Sequence, residues 1–470
     1  MRTLPRRLAG LTTLALLAAC NQTDGLTDPV IPTGAAVISS DITINRTLFK
    51  DTTYTLSGFI KVTNGATLTI QPGTVIKGDY NIVGSSLFIT RGAKLQAVGT
   101  ASAPIVFTSS QPAGQRRAGD WGGVIIIGNV RINRADPVIL EGTGTGANNP
   151  QQIYSAGTDN ADNSGTLKYV RIEFAGYATA TDQELNTLTL AAVGSGTTLE
   201  YVQALYGLDD SFEFFGGAVD GKYLVSYESG DDHFDMSEGY QGRLQYLISY
   251  QSAKPTIRPG AGNASSDPQA IENDGCAGTG CALGQNSTPF TTPVVANFTL
   301  VGPGTGTDID ATSGGYGMIL RRGTGGYYVN GVLDRFPKGA MGLRDTLSTR
   351  VRLTDGVLDI RHLYIAETPS IFTTASGGFI LADSVARNIT RDASVTAASL
   401  FTTLTLPATS AASFDWTPAA TAPIATGGLQ TFSGTLATAA GTAVTGTGFR
   451  GAAAPGGAKW WAGWTAYATN

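Results

Sequence analysis

The sequence predicts an all-β chain wound as a right-handed parallel β-helix, a solenoid with lateral loops, and three observations lead there. First, one phrase recurs in "LKYVRIEFAG" (167–176), "LEYVQALYG" (199–207), "GKYLVSYESG" (221–230) and "LQYLISYQS" (244–252). These segments align on Tyr169, Tyr201, Tyr223 and Tyr246 at spacings of 32, 22 and 23, so a coil takes about 22 residues and one coil carries a longer loop. Second, each segment alternates: Val170, Ile172 and Phe174 share one face while Arg171 and Glu173 share the other, the period of a half-buried strand. Third, Gly supplies 61 of 470 residues, charged residues only 14%, and no long stretch has helical apolar spacing. That is the profile of a turn-rich β protein, and a stacked repeat can reach this length without splitting into separate cores.

In chain order, residues 1–19 read as an export signal. Arg2, Arg6 and Arg7 make a basic start, residues 8–19 are apolar but too few to span a bilayer, and "LAAC" closes the segment at Cys20. "LAAC" resembles the lipobox of bacterial lipoproteins, which makes Cys20 the expected lipidation site and the membrane a partner through that anchor. Asn21 after the Cys favours the outer membrane or cell surface. Residues 20–34, polar and carrying Pro29 and Pro32, are expected to be a tether.

The expected β-helix body is 35–396. Its early strands are "ATLTIQPGTVIKG" (66–78), "SSLFITRGAKLQAVG" (85–99), "APIVFTS" (103–109) and "WGGVIIIGNVRIN" (121–133), separated by Gly, Pro and Asn turns. The register of the Tyr segments places Val202, Ala204, Leu224, Ser226, Leu247 and Ser249 inside and the four tyrosines in an outward column. Residues 251–293 read as one long loop containing "CAGTGC". In an exported protein Cys276 and Cys281 are expected to form a disulfide; a metal pair is the rival, but only His233 and His362 could complete its ligand set. Strands resume at 294–302, 317–323 and 325–336. A sandwich or barrel would show two-residue hairpin turns, and "VNGVL" (329–333) is the one such turn between apolar runs.

A short helix is expected within 383–400. Residues 397–446, rich in Ala, Thr and Gly, permit either edge strands or a loose flap. The segment 447–470 carries Trp460, Trp461 and Trp464 and is expected to pack back onto the body.

"GDWGGVIIIGN", "NSGTLKYVRIEFAGY", "GSGTTLEYVQALYGLDDSFEFFGG", "KYLVSYESGDDHFD" and the terminal "WAGWTAY" together resemble a group of secreted or lipid-anchored bacterial β-helix surface proteins. The likeness covers most of 60–340 and the last twenty or so residues. It implies the β-helix fold and an envelope address, and it supplies no catalytic residue. No sorting domain follows the tryptophan motif, in keeping with attachment through Cys20. A broader likeness, to pectate-lyase-like folds, concerns architecture alone.

The chemistry-bearing stretch is "LDDSFEFFGGAVDGKYLVSYESGDDHFDMSEG" (208–239). Asp209, Asp210 and Glu213 return one coil later as Asp231, Asp232 and Asp235, about 4.8 Å away if the strands stack. Phe212 and Phe214, like Phe234 and Met236, should point inward and the acids outward. Carboxylates 5 Å apart repel by roughly 0.8 kcal/mol in water and roughly 3 kcal/mol at an effective dielectric near 20. The ladder is therefore either a solvated stripe whose Asp residues brace turns, a Ca²⁺ site, or a catalytic pair. "GTDNADNSG" (157–165) offers a second oxygen-rich loop through Asp159, Asp162 and Asn163, without the full spacing of a Ca²⁺-binding loop.

His233 is a candidate acid or base, and Lys222 and Arg243 are the nearest basic residues in sequence. Nucleophile elbows, Cys-His pairs and phosphate loops are absent, and a net charge of −5 argues against nucleic acid. The leading expectation is a non-catalytic envelope lipoprotein presenting loops, the Tyr column among them, to glycan, cell wall or surface-layer proteins. The alternative is a polysaccharide lyase or glycoside hydrolase using acids on neighbouring coils. A groove holding both acids and a base would favour catalysis.

Overall fold

The computed structural model describes residue 1 and residues 34–276, 278–310, 312–344, 346–372 and 381–467. The expected export signal 1–19, Cys20 and the expected tether up to residue 33 lie outside the described residues, apart from Met1.

Successive coils stack in parallel register, as the 22-residue spacing requires. Val170 pairs with Val202, Val202 with Leu224, Leu224 with Leu247 and Leu247 with Phe298. On the second sheet Leu188, Phe212, Phe234, Ile271 and Met318 form the equivalent column. Both columns feed one continuous apolar interior that also holds Phe214, Met236 and Ala204. Val202, Ala204, Leu224, Ser226, Leu247 and Ser249 are all buried, as their register demands. The architecture is an all-β parallel β-helix.

The Tyr column marks the corner where the long strands bend. Tyr169, Tyr201, Tyr223 and Tyr246 take φ of 50°, 54°, 61° and 65°, and Asn297, Asn330 and His362 continue the same corner. Left-handed backbone costs an L-residue roughly 1–2 kcal/mol. Stacking of the rings, with centroids 4.4, 4.4 and 5.1 Å apart, offsets that cost by roughly 0.5–1.5 kcal/mol per pair. A second corner runs through Phe174, Tyr206 and Glu228, at φ of 59°, 54° and 59°. Phe174 accordingly leaves the alternation read from sequence: the bend turns it away from the interior cluster and onto Tyr206, 5.7 Å away.

Residues 251–293 are not one loop. The strand Ile271–Asp274 adds a full rung to the second sheet, pairing with Phe234–Ser237 and Tyr316–Arg321. Its apolar pattern is hidden because Asn273 occupies the interior position held by Met236 one coil earlier, where its amide meets the Tyr328 hydroxyl. Cys276 and Cys281 form a disulfide just beyond this strand.

The C-terminal segment is an ordered strap across the long sheet. The hairpin Phe401–Leu404/Phe414–Pro418 and the helix Gly434–Ala440 lie along it. Trp464 meets Tyr169 and Tyr201 edge-on at 5.8 and 6.1 Å, and Trp460 lies 5.1 Å from Tyr223. Where tyrosines give way to asparagines, the contact turns polar: Asn297 Nδ2 donates to Thr447 Oγ1 and Asn330 Oδ1 accepts the Leu429 N–H, both at 2.7 Å.

Candidate acidic cleft

The acidic phrase begins at the turn that follows the second corner. Here Asp210 and Asp232 extend a ladder of polar side chains, each accepting the backbone N–H of the next coil. Asn186 Oδ1 takes the Asp210 N–H (3.1 Å), Asp210 Oδ1 that of Asp232 (2.8 Å), Asp232 Oδ1 that of Gln269 (2.5 Å) and Gln269 Oε1 that of Tyr316 (2.9 Å). Each rung satisfies a buried amide that no strand pairing reaches.

Two residues on, the second sheet begins, and its outward positions stack Thr189, Glu213, Asp235, Glu272 and Ile319. Their inward neighbours anchor the register: Phe212 stacks on Phe234 with centroids 5.2 Å apart. Outward here does not mean solvated for Asp210, Glu213 and Asp232, which corrects the solvated-stripe expectation for these three, while Asp209, Asp231 and Asp235 are half-buried. The loop 128–164 after the strand Gly123–Ile127 and the hairpin Tyr177–Ala180/Gln183–Leu185 fold over the outer face of the second sheet, where Ile132, Leu140, Tyr154 and Leu185 are buried with Ile125. Under that cover Asp210, Glu213, Asp232 and Glu272 are 3–6% exposed.

Carboxylate oxygens within 4.8 Å of one another occur in three overlapping sets: Asp209, Asp210 and Asp231; Asp210, Glu213 and Asp235; Asp232, Asp235 and Glu272. Burial, followed by the charges of Asp210 and Asp231, pushes the Asp209 carboxyl well above the usual range. Burial and then Asp235 and Asp210 do the same to Glu213. Asp231, Asp232, Asp235 and Glu272 are raised too, burial first in each case. Oδ1 of Asp231 and Oδ1 of Asp235 are shielded from solvent and have no hydrogen-bond partner.

Among the described residues, cations pair with this array along one edge. Arg321 pairs with Glu272 and, at 2.7 Å, with Asp274; Arg322 reaches Asp274 at 2.5 Å; Arg134 reaches Glu238 at 2.5 Å. A cavity of about 480 Å³ is lined by Glu213, Asp235, Glu141 and these arginines. A second, of about 520 Å³, is lined by Asp209, Asp231 and Glu184. Asp182, at the tip of the hairpin Tyr177–Ala180/Gln183–Leu185, lines both.

The remaining sequence candidates lie elsewhere. Asp159 Oδ1 accepts the Ala161 N–H, Asn163 Oδ1 the Gly165 N–H, and Asp162 Oδ2 the Ser164 hydroxyl, so this loop spends its oxygens on its own turn. His233 is not a surface acid or base: it is buried, its Nδ1 sits 2.5 Å from Ser226 Oγ, and burial pulls its pKa down to about 3. Arg243 pairs with Asp220 at 3.2 Å, and Lys222 stands on the long sheet between Glu200 and Gln245. Tyr169, Tyr201 and Tyr223 do not form an open platform, because Trp464 and Trp460 of the strap lie against them, and Tyr246 stacks on Tyr223.

Sequence reasoning missed Glu272, Asp274, Glu141 and Arg321. The signal available was slight: "QAIENDG" (269–275) matches "DHFDMSE" (232–238) only in an apolar residue followed by an acid, Ile271-Glu272 against Phe234-Asp235, after a lateral loop that lengthens the spacing from 22 to 37.

The chain matches the family model of the pectate-lyase-like β-helix domain over residues 39–417. No curated protein and no solved structure shows significant similarity to it.

Proposed function

The chain belongs to the pectate-lyase-like β-helix family, and from that premise we propose that it is a non-catalytic scaffold of the cell envelope. In this reading Cys20 carries the lipid that holds it to the membrane. The lateral loops hold a divalent cation, Ca²⁺ by its ligand preference, and face glycan, cell wall or surface-layer proteins.

One observation supports this above the others: six carboxylates from two adjacent coils, joined by Glu272 from a third, form three overlapping sets of oxygens within 4.8 Å of one another, with Asp210, Glu213, Asp232 and Glu272 buried. Buried charges need a counter-charge, and a hard cation taking six to eight oxygens supplies it. The arginines present are spent on Glu272, Asp274 and Glu238 at the rim, and His233 is neutral. Among the described residues, a base beside the ladder would therefore have to be one of its own carboxylates.

Calorimetric titration of CaCl₂ into chelator-treated protein tests the reading. Saturable binding should appear and be lost in Glu213→Gln/Asp235→Asn; absence of binding by the wild type refutes the cation. Cys20→Ser should move the protein from the membrane to the soluble fraction, and a variant that still needs detergent refutes the anchor.

A polysaccharide lyase or glycoside hydrolase is the second reading, favoured by Glu141. Burial, and then Glu184, push its carboxyl up to about 8, so a protonated acid shares one cavity with Glu213 and Asp235. An acid paired with a carboxylate is what inverting hydrolysis uses. Release of reducing or unsaturated sugars from envelope polysaccharides, abolished by Glu141→Gln, would establish it.

A further inference from the structure

We propose that the C-terminal strap is a pH-sensitive latch. Asp334, sealed between the strap and the long sheet, lets the strap lie shut while its carboxyl keeps a proton, and the portion 397–418 lifts when that proton leaves. The inference is independent of the cation and of the partners proposed above, and it concerns the opposite face of the coils from the acidic cleft.

The outer face of the long sheet carries a row with one residue per coil: Leu205, Tyr227, Tyr250, Val301, Asp334 and Ala366. All but Asp334 belong to the apolar cluster that the sheet shares with Leu400, Phe401, Leu404, Phe414 and Trp416 of the strap. Strand alternation puts Asp334 on this same face, because Leu333 joins the interior cluster while Val332 joins the strap cluster. Asp334 is 0% exposed, and neither of its carboxylate oxygens has a hydrogen-bond partner.

A protonated carboxyl tolerates such surroundings far better than a charged one, which needs a counter-charge. The cations of this interface are engaged elsewhere. Arg335 lies 3.7 Å from Glu367 and donates to the Pro303 carbonyl at 3.3 Å; Arg450 lies over the Tyr364 ring and donates to the Gly427 carbonyl at 3.1 Å; Lys459 pairs with Asp415 at 2.7 Å. Burial first, and then the charge of Glu367, push the Asp334 carboxyl up to about 8, with Arg335 pulling the other way.

The other titratable groups facing the strap have partners. Glu367 accepts the Ala397 N–H at 2.5 Å, Glu228 the Tyr467 hydroxyl at 2.7 Å, and Asp392, next in the row after Ala366, the Ser394 hydroxyl at 2.6 Å. Glu173 pairs with Arg171 at 2.9 Å, and His362 Nδ1 lies 2.9 Å from the Gly427 carbonyl. Burial raises the hydroxyls of Tyr227, Tyr250 and Tyr364, which therefore stay neutral at pH 9. Linkage fixes the direction of the latch. Closed, Asp334 keeps its proton up to about pH 8; open, in water, it gives it up near the ordinary 3.8. The ratio of open to closed strap should rise up to about tenfold per pH unit between those values and level off above them. Lifting uncovers Tyr227 and Tyr250, whose rings Phe414 meets at 4.8 and 5.0 Å.

Proteinase K digestion of the full chain between pH 6 and pH 9 reads the opening, each rate being divided by that of an unstructured peptide at the same pH. Cleavage within 397–418 should accelerate at least about tenfold from pH 6 to pH 8 and then level off. Asp334→Asn keeps the shape and removes the titration, so its rate should change less than about threefold over the same range. Asp334→Leu, which completes the apolar row, should be equally flat and serves if the Asn variant does not fold. Glu228→Gln should keep the acceleration. So should His362→Asn, which matches Asn297 and Asn330 at the same corner of neighbouring coils. A wild-type rate indifferent to pH overturns the latch. So does an acceleration that survives in Asp334→Asn or Asp334→Leu, or one that disappears in Glu228→Gln or His362→Asn.

Discussion

Asp210 Oδ1 accepts the backbone N–H of Asp232, its counterpart one coil on, at 2.8 Å. The same carboxyl lies within ligand distance of Asp209, Asp231, Glu213 and Asp235, so one side chain serves both the winding of the chain and the acidic cleft. The two duties separate by substitution. Asp210→Asn keeps the acceptor and removes a charge; in chelator it should unfold at the same urea concentration as wild type or higher. Asp210→Ala strands a buried amide and should cost about 1–3 kcal/mol. Equal midpoints for the two variants would mean that the ladder bond contributes nothing.

Trp464 joins the strap to the coils. It is fully buried, sits edge-on to Tyr169 and Tyr201, and its carbonyl accepts from Arg171 at 3.1 Å. Trp464→Ala should cost about 3–5 kcal/mol. Limited proteolysis should then cut within 401–467 before any coil, because the strap meets the sheet mostly through side chains, with Gly451 N–H donating to the Asn330 carbonyl at 2.8 Å, while the coils share continuous backbone ladders. Simultaneous cleavage of strap and coils would show that they fold as a single unit.

Much of the winding was legible before any coordinates. The spacing of Tyr169, Tyr201, Tyr223 and Tyr246 carries the coil length, and the alternation around Val202 and Leu224 carries the inward register, because both follow from backbone periodicity alone. What covers an outward face does not. Glu213 and Asp235 alternate with Phe212, Phe214, Phe234 and Met236 just as solvated residues would, and the burial of Glu213 and the half-burial of Asp235 come from loops tens of residues away. The rung at 271–274 was lost for a related reason: Asn273 satisfies an interior position by bonding the Tyr328 hydroxyl, a partner 55 residues on, so its strand shows no apolar alternation. The tyrosines looked like an outward platform because stacking explains them in either case; only the tertiary position of Trp464 distinguishes a covered column from an open one.

The raised carboxyls make stability depend on pH in a defined direction. A group whose folded pKa lies above its unfolded value binds more protons when folded, so it stabilises at low pH and loses that contribution as pH rises. For Glu141 the window runs from about 4.5 to about 8, and the buried ladder carboxyls shift in the same direction. In chelator the urea midpoint should therefore fall steadily from pH 5 to pH 8. Glu141→Gln should flatten part of that slope. A midpoint that climbs over this interval would mean that the carboxyls are ionised and paired in the folded state, contrary to their surroundings.

Calcium turns the same electrostatics around, and Asp209→Asn/Asp231→Asn reveals the sign. These two residues share one set of close oxygens with Asp210, and Asp231 Oδ1 has no partner. If a cation sits there, ligand at 100 times its dissociation constant adds about 2.7 kcal/mol to the wild type, a rise in melting temperature that differential scanning calorimetry resolves. The double variant loses two charged ligands, so its melting temperature should not respond to calcium. In chelator the order should invert: with no counter-ion the wild type bears the repulsion of Asp209 against Asp210 and Asp231, and the variant, relieved of it, should melt at the same temperature or higher. Four scans, two proteins with calcium and with chelator, give the crossing. A wild type indifferent to chelator would show that the carboxyls are stabilised by shared protons alone, leaving the cleft as an acid-lined cavity without a cation.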